Sequence, residues 1–229
     1  MTRKESSYNH QSLPYYINRQ HFIDNLLLIH TFSINIFMEG DFMNSNDLRV
    51  IKTRKNIELS FLKLLSKKTF DQITIQNILD EALINRTTFY KHYADKYELA
   101  TLLCSRVFTC FCDSIEQRFC ADTKEALLES VQNLYLTFQK QRETILPLFQ
   151  IHTDSIHLYD DMFAFLKSRF LKKAQTQKLS ANWNEDYLST LYASFVMTSL
   201  KWCFENEVND DLSKYVSCFY EGSRKFFEP

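Results

Sequence analysis

From Asp47 onward, apolar residues recur every three or four positions, and polar residues fill the gaps. In DLRVIKTRKNIELSFLKLLSKK the positions Ile57, Phe61, Leu64 and Leu65 follow the i, i+4, i+7, i+8 spacing of a helix with one buried face. Asn46 or Asp47 can cap its start. Lys67 and Lys68 sit at its end, where the helix dipole favours cations. A short connector, TFDQI, leads to Thr74, an N-cap for a helix whose Ile75, Ile78, Leu79 and Ala82 share one face. A tight link, LIN, follows. Asn85 can cap a second short helix, RTTFYKHY, in which Phe89 and Tyr93 lie four apart and face the core together. Two helices of about eight residues joined by so short a turn are the mark of a helix-turn-helix. Asp95 with Glu98 then has the spacing of a capping box, with Asp in the capping role, and opens a long helix to about Phe119.

The periodicity continues to the end of the chain. It predicts helices near 123–141, 142–151, 154–177, 184–206 and 210–227, with interruptions at Pro147 and at Ser180-Ala181-Asn182. The expected fold class is all-α. Composition agrees, since the 229 residues include only two Gly and three Pro, too few turn residues for a sheet-rich fold. Hydrophobic residues make up 45% of the chain, enough for a buried core.

Net charge is −1, but it is unevenly spread. Residues 47–110 carry 11 basic against 7 acidic side chains, and residues 111–229 carry 13 against 17. A basic first module followed by an acidic second one suits nucleic-acid contact by the first alone. Within that module Arg86, Thr87, Thr88, Lys91 and His92 offer donors and small hydroxyls. Arg86 could reach a guanine edge, and Thr87 or Thr88 a thymine methyl. Tyr90 and Lys91 suit phosphates. Thr74 and Gln76, opening the preceding helix, could bring a backbone N–H and a side chain to another.

Enzyme chemistry finds no support. No P-loop, GxGxxG, GxSxG or HExxH pattern occurs, and the only glycines are at 40 and 222. The six cysteines, at 104, 110, 112, 120, 203 and 218, include no CxxC pair and read as reduced thiols. Cys104, Cys112 and Cys120 recur every eight residues, about 12 Å along a helix, too far apart to converge on one ion. Residues 22–38 are apolar but contain Asp24, Asn25, His30 and Asn35, so neither a membrane span nor a signal peptide is expected. Glu39-Gly40-Asp41 can be encoded by a purine-rich ribosome-binding sequence just before Met43. Translation is therefore expected to start at Met43, with the first 42 residues a mis-called upstream extension; a poorly ordered arm is the alternative.

The stretch FDQITIQNILDEALINRTTFYKHYADKYEL resembles the DNA-binding module of TetR-family regulators. Thr74, Ile78, Ala82, Thr88, Phe89, Tyr90, His92, Tyr93, Lys96 and Leu99 fall on that family's pattern. Three positions depart from it. Leu83 stands where a turn glycine is usual, Asn85 where Ser or Thr caps, and Tyr93 where Phe is common. Leu83 must take the turn without glycine's freedom, at a strain of ~1 kcal/mol if its φ is positive.

The resemblance implies an N-terminal extension over 1–46, a three-helix DNA-binding domain over 47–107, and a helical effector-binding and dimerisation domain over 108–229. The implied DNA-contact set is Thr74, Gln76, Asn85, Arg86, Thr87, Thr88, Tyr90, Lys91, His92 and Lys96. The partners would be a double-stranded operator, an unidentified small-molecule effector, and a second copy bound through the last two helices. The run LYASFVMTSLKWCFENEVNDDLSKYV is similar to the C-terminal signature of some members, and Ala193 and Ser194 would let helices approach closely. His152, His157, Met162, Phe163, Phe165 and Trp183 could line an effector pocket, or simply be core. The expected protein is a cytoplasmic, sequence-specific repressor with no cofactor and no membrane contact. It would read a palindrome as a homodimer, released by a small molecule. An activating or ligand-independent regulator acting through a protein partner, or a metal-responsive one, are the alternatives.

Overall fold

A computed structural model describes the backbone of residues 45–119, 123–177 and 184–206, and of helical positions 214, 215, 217, 218 and 221. The Met43 start, the 180–182 interruption, Cys120 and Trp183 lie outside the described residues. The described residues from 49 onward belong to one compact unit. Eight α-helices and no strand are assigned among the described residues.

Helix α1 spans Ser45–Leu65. It starts earlier than the capping pattern suggests, so Asn46 and Asp47 already lie inside it rather than capping it. It buries Ile57, Phe61, Leu64 and Leu65, as its spacing demands. Lys67 and Lys68 follow its end, their N–H groups donating to the Leu64 carbonyl at 3.0 and 2.9 Å. A 3-10 turn, Phe70–Gln72, drops Phe70 into the core and leads to α2, Ile75–Ala82. Helix α3 is Arg86–Tyr90. The long α4, Lys96–Phe119, buries Leu99, Leu103, Val107, Phe111 and Ile115 along one stripe.

Beyond it come α5, Lys124–Lys140; α6, Arg142–Leu148; α7, Leu158–Gln177; and α8, Glu185–Glu205. Thr123 caps α5 and Asn184 caps α8 by accepting from the N–H groups of Ala126 (3.2 Å) and Tyr187 (2.8 Å). Pro147, expected as an interruption, sits buried inside α6 one residue before its end; it has no N–H to donate to the Glu143 carbonyl, and the helix stops at Leu148. The next helix begins at Leu158 rather than near 154. Thr153 closes the intervening turn, its N–H donating to the Ile156 carbonyl at 3.0 Å while its hydroxyl accepts from Ile156 N–H at 3.0 Å. Of the expected 210–227 helix, only positions 214, 215, 217, 218 and 221 are described, and these are helical. Buried side chains form one continuous cluster, from Ile57 and Phe61 through Phe111 and Phe138 to Met197 and Leu200. Helix α8 packs most extensively on α7.

Candidate nucleic-acid interface

The helix-turn-helix is built from short polar caps. Thr74 holds extended dihedrals, its hydroxyl accepts from Asn77 N–H at 3.2 Å, and Asn77 Oδ1 accepts from Thr74 N–H at 3.1 Å. This reciprocal pair satisfies two donors at the start of α2. Helix α2 ends at Leu83, whose φ of 52° and ψ of 45° place it in the left-handed region. It is the sole positive-φ residue among the described residues. The Leu79 carbonyl accepts from the N–H groups of both Leu83 and Ile84. The chain then reverses into Asn85, whose Oδ1 accepts from Thr88 N–H and from the Thr88 hydroxyl, both at 2.8 Å. Asn56 of α1 steadies the turn by donating from Nδ2 to the Ala82 carbonyl at 2.7 Å.

Regular α3 is shorter than the eight residues expected. Lys91 N–H still bonds Thr87 O at 3.2 Å, but His92 N–H turns back onto Phe89 O at 2.9 Å, an i−3 bond that tightens the last turn, and Tyr93 N–H shares the same carbonyl at 3.0 Å. Phe89 and Tyr93 are both fully buried, as predicted. Arg86, Thr87, Tyr90 and Lys91 are exposed. Gln76 links the two helices. Its Oε1 accepts from Arg86 Nη2 at 3.4 Å, and its Nε2 donates to Asp80 at 2.8 Å. The pair presents a guanidinium and an amide side by side on one exposed surface.

Besides Thr74, three of the predicted contact residues have structural duties. Asn85 and the Thr88 hydroxyl satisfy each other and the helix start. The Lys96 ammonium is turned inward, donating to the carbonyls of Phe70 (2.9 Å), Ile73 (2.8 Å) and Asp71 (3.4 Å) and lying 4.5 Å from the Phe70 ring centroid. Its three N–H donors are thereby used, and it braces the 3-10 turn against α4. His92 is half-buried, and burial, with Arg54 and Lys91 beside it, pushes its imidazole below the usual range.

Local spacing gave no sign of the network behind α3. The Tyr93 hydroxyl donates to Glu58 Oε1 at 2.8 Å, and Arg106 of α4 grips the same carboxylate with both Nη atoms, at 2.8 and 2.9 Å. The Arg54 guanidinium lies 5.8 Å from the centre of the Tyr93 ring. Burial first, then the Glu58 charge, holds the Tyr93 phenol well above its ordinary pKa. One carboxylate thus ties the end of α3 to α1 and α4.

No protein-family model matches the chain. It is 31% identical over 135 residues to the uncharacterized HTH-type transcriptional regulator YxbF of Bacillus subtilis, covering 55% of this chain and 33% of that protein. The chain therefore spans about a third of the length of the curated relative it matches. Among solved structures it is similar to a TetR transcriptional regulator from Streptococcus agalactiae, at a TM-score of 0.52 and 23% identity over 74% of this chain and 94% of that one. It is similar also to the regulatory protein TetR of Rhodobacter sphaeroides, at a TM-score of 0.50 and 15% identity over 76% and 98%. Its fold is that of the TetR-family regulators. The names of these similar proteins are those of regulators, not enzymes.

Within this TetR-type fold the candidate pocket residues sit in different surroundings. His152 is exposed in the loop after α6, 3.4 Å from Asp160, whereas Met162 is wholly buried core. His157 is largely buried and pairs with Asp161 at 3.0 Å, one turn on. Phe163 and Phe165 are half-buried against the core, and Phe165 meets Phe108 and Phe111 edge-on. Burial pushes the Cys104 and Cys112 thiols up to about 12 and Cys203 up to about 11. No group of three or more His, Cys, Asp or Glu among the described residues could hold a metal. No described helix is long and apolar enough to cross a membrane.

Proposed function

We propose that this chain is a sequence-specific DNA-binding transcriptional regulator that binds an inverted-repeat operator as a homodimer and acts as a repressor released by a small molecule. The observation that carries the reading is the exposed surface of α3, with Arg86, Thr87, Tyr90 and Lys91 outward and Phe89 and Tyr93 anchored inward. Arg86, held by Gln76, is set to read a base edge. Tyr90 and Lys91, with the N-terminus of α2 at Thr74, fit phosphates on either side.

One such helix reads only a few base pairs, too little to select a site. A second copy would supply the other half-site, about 34 Å away along the duplex. Helix α8 offers a surface for that copy. At 3.6 residues per turn, Tyr187, Leu191, Thr198 and Trp202 fall within an arc of roughly 60°, and all four are exposed. An effector would act by binding unequally to two separations of the DNA-binding heads.

A gel shift on promoter DNA tests the reading. Wild type should give a discrete complex, while folded Tyr90→Ala and Lys91→Ala should lose it. Equal binding by both variants would overturn it.

A further inference from the structure

Cations gather where α4, α7 and α8 meet, far in sequence from the helix-turn-helix. Arg118 of α4 donates from Nη1 to the Tyr192 hydroxyl at 2.6 Å and stacks 5.1 Å from that ring's centre. Arg169 and Lys173, one turn apart on α7, lie 5.5 and 5.7 Å from the centre of the Phe119 ring. Phe119 meets Tyr192 edge-on at 6.2 Å, and Phe170 lies 5.2 Å from Tyr192 on its other side. Three cations therefore share one aromatic wall.

Among the described residues only one carboxylate answers them. Glu116 pairs with Arg169 through Nη2, and Arg169 Nε is buried without a hydrogen-bond acceptor. Arg118 and Lys173 make no ion pair with a carboxylate among the described residues. Burial, and Arg118 beside it, push the Lys173 ammonium below its ordinary range. Neighbouring like charges half out of water are unfavourable unless something negative joins them. Arg118, Lys173 and Arg169 are all half-buried, so the group is sheltered yet reachable.

We propose that Arg118, Arg169 and Lys173, set against Phe119 and Tyr192, form a binding site for an organic oxyanion on a ring-sized apolar body. The guanidinium forks suit the two oxygens of a carboxylate or phosphate, and the rings suit the body. The proposal rests on the reading of 108–229 as an effector module, and it names the effector's chemical class.

The test is calorimetric titration of the full chain, without DNA, using benzoate, phenyl phosphate and neutral benzamide. At least one oxyanion should bind saturably, and whichever binds tighter identifies the head group. Benzamide should bind about tenfold or more weakly, as expected for loss of a charged hydrogen bond. Lys173→Met keeps the apolar stem on Phe119 and should weaken the oxyanion by about the same factor, while Lys173→Arg should retain it. Arg118→Gln, checked for folding by circular dichroism, should behave like Lys173→Met. The proposal falls if neither oxyanion binds, if benzamide binds equally well, or if the folded Met and Gln variants keep wild-type affinity. Because the titration contains no DNA, a failed gel shift would refute the regulator reading and leave this result standing.

Discussion

Replacing Leu83 by glycine should stabilise the protein, although it removes a large apolar side chain. Leu83 holds φ 52° and ψ 45°, and its relative exposure is 90%. A residue with a Cβ in this region costs about 1–2 kcal/mol. Glycine relieves that strain but also frees the unfolded chain, which offsets about 0.4–1 kcal/mol. The side chain is so exposed that little burial is lost with it. The net gain should be about 0.5–1 kcal/mol, or a Tm rise of roughly 2–4 °C at the upper end for a chain of this size. Urea unfolding with matched slopes is the assay. Leu83→Ala is the control: it keeps a Cβ, so its stability should stay near wild type. A less stable Leu83→Gly protein, or an equal gain from Leu83→Ala, would refute the reasoning that backbone strain resides at this turn.

The other predictions concern caps, braces and charge. Asn85→Ala removes the acceptor for Thr88 N–H and should cost about 1 kcal/mol in urea unfolding, with weaker DNA binding following from a frayed α3. Lys96→Met should lower stability by about 1.5–3 kcal/mol, because it frees carbonyls that the ammonium now satisfies; unchanged stability with lost DNA affinity would place Lys96 on the DNA instead. Lys91→Ala, which removes one phosphate contact from each protomer, should reduce the slope of log affinity against log salt by about 2, while Arg86→Ala should cost about 1–3 kcal/mol per half-site and relax preference at the same base in both. The lowered pKa of His92 means that the unfolded chain takes up its proton first as pH falls. Stability should therefore be full above about pH 6.5 and decline below it, with a shallower decline in His92→Gln when melts are compared across pH.

What could be read from the sequence was what is local. Thr74, Asn85 and Asp95 each stand three residues before the N–H they cap, so the helix starts near them were legible in spacing alone. The demand on Leu83 came from the resemblance, whose pattern has a turn glycine at that position, and Leu83 does take a positive φ. Phe89 and Tyr93 were legible as an inward pair from their spacing. The length of α3 was not, because the N–H groups of His92 and Tyr93 both fold back onto the one Phe89 carbonyl. Lys96 was misplaced because its long stem reaches carbonyls 23 to 26 residues earlier in the chain, and no spacing rule encodes that reach. Glu58, Tyr93 and Arg106 meet across separations of 35 and 48 residues, equally invisible to periodicity. His152 and Met162 looked alike as pocket candidates, yet one stands on a loop and the other at the centre of a packed helix.

Selection of bound sequences from a random duplex pool measures most directly whether a pair of α3 helices reads DNA. The enriched sites should share two inverted half-sites spaced about one helical turn apart, and Arg86→Ala should blur the same base in both halves. Enrichment of a single unrepeated motif, or of nothing beyond the starting pool, would contradict the account.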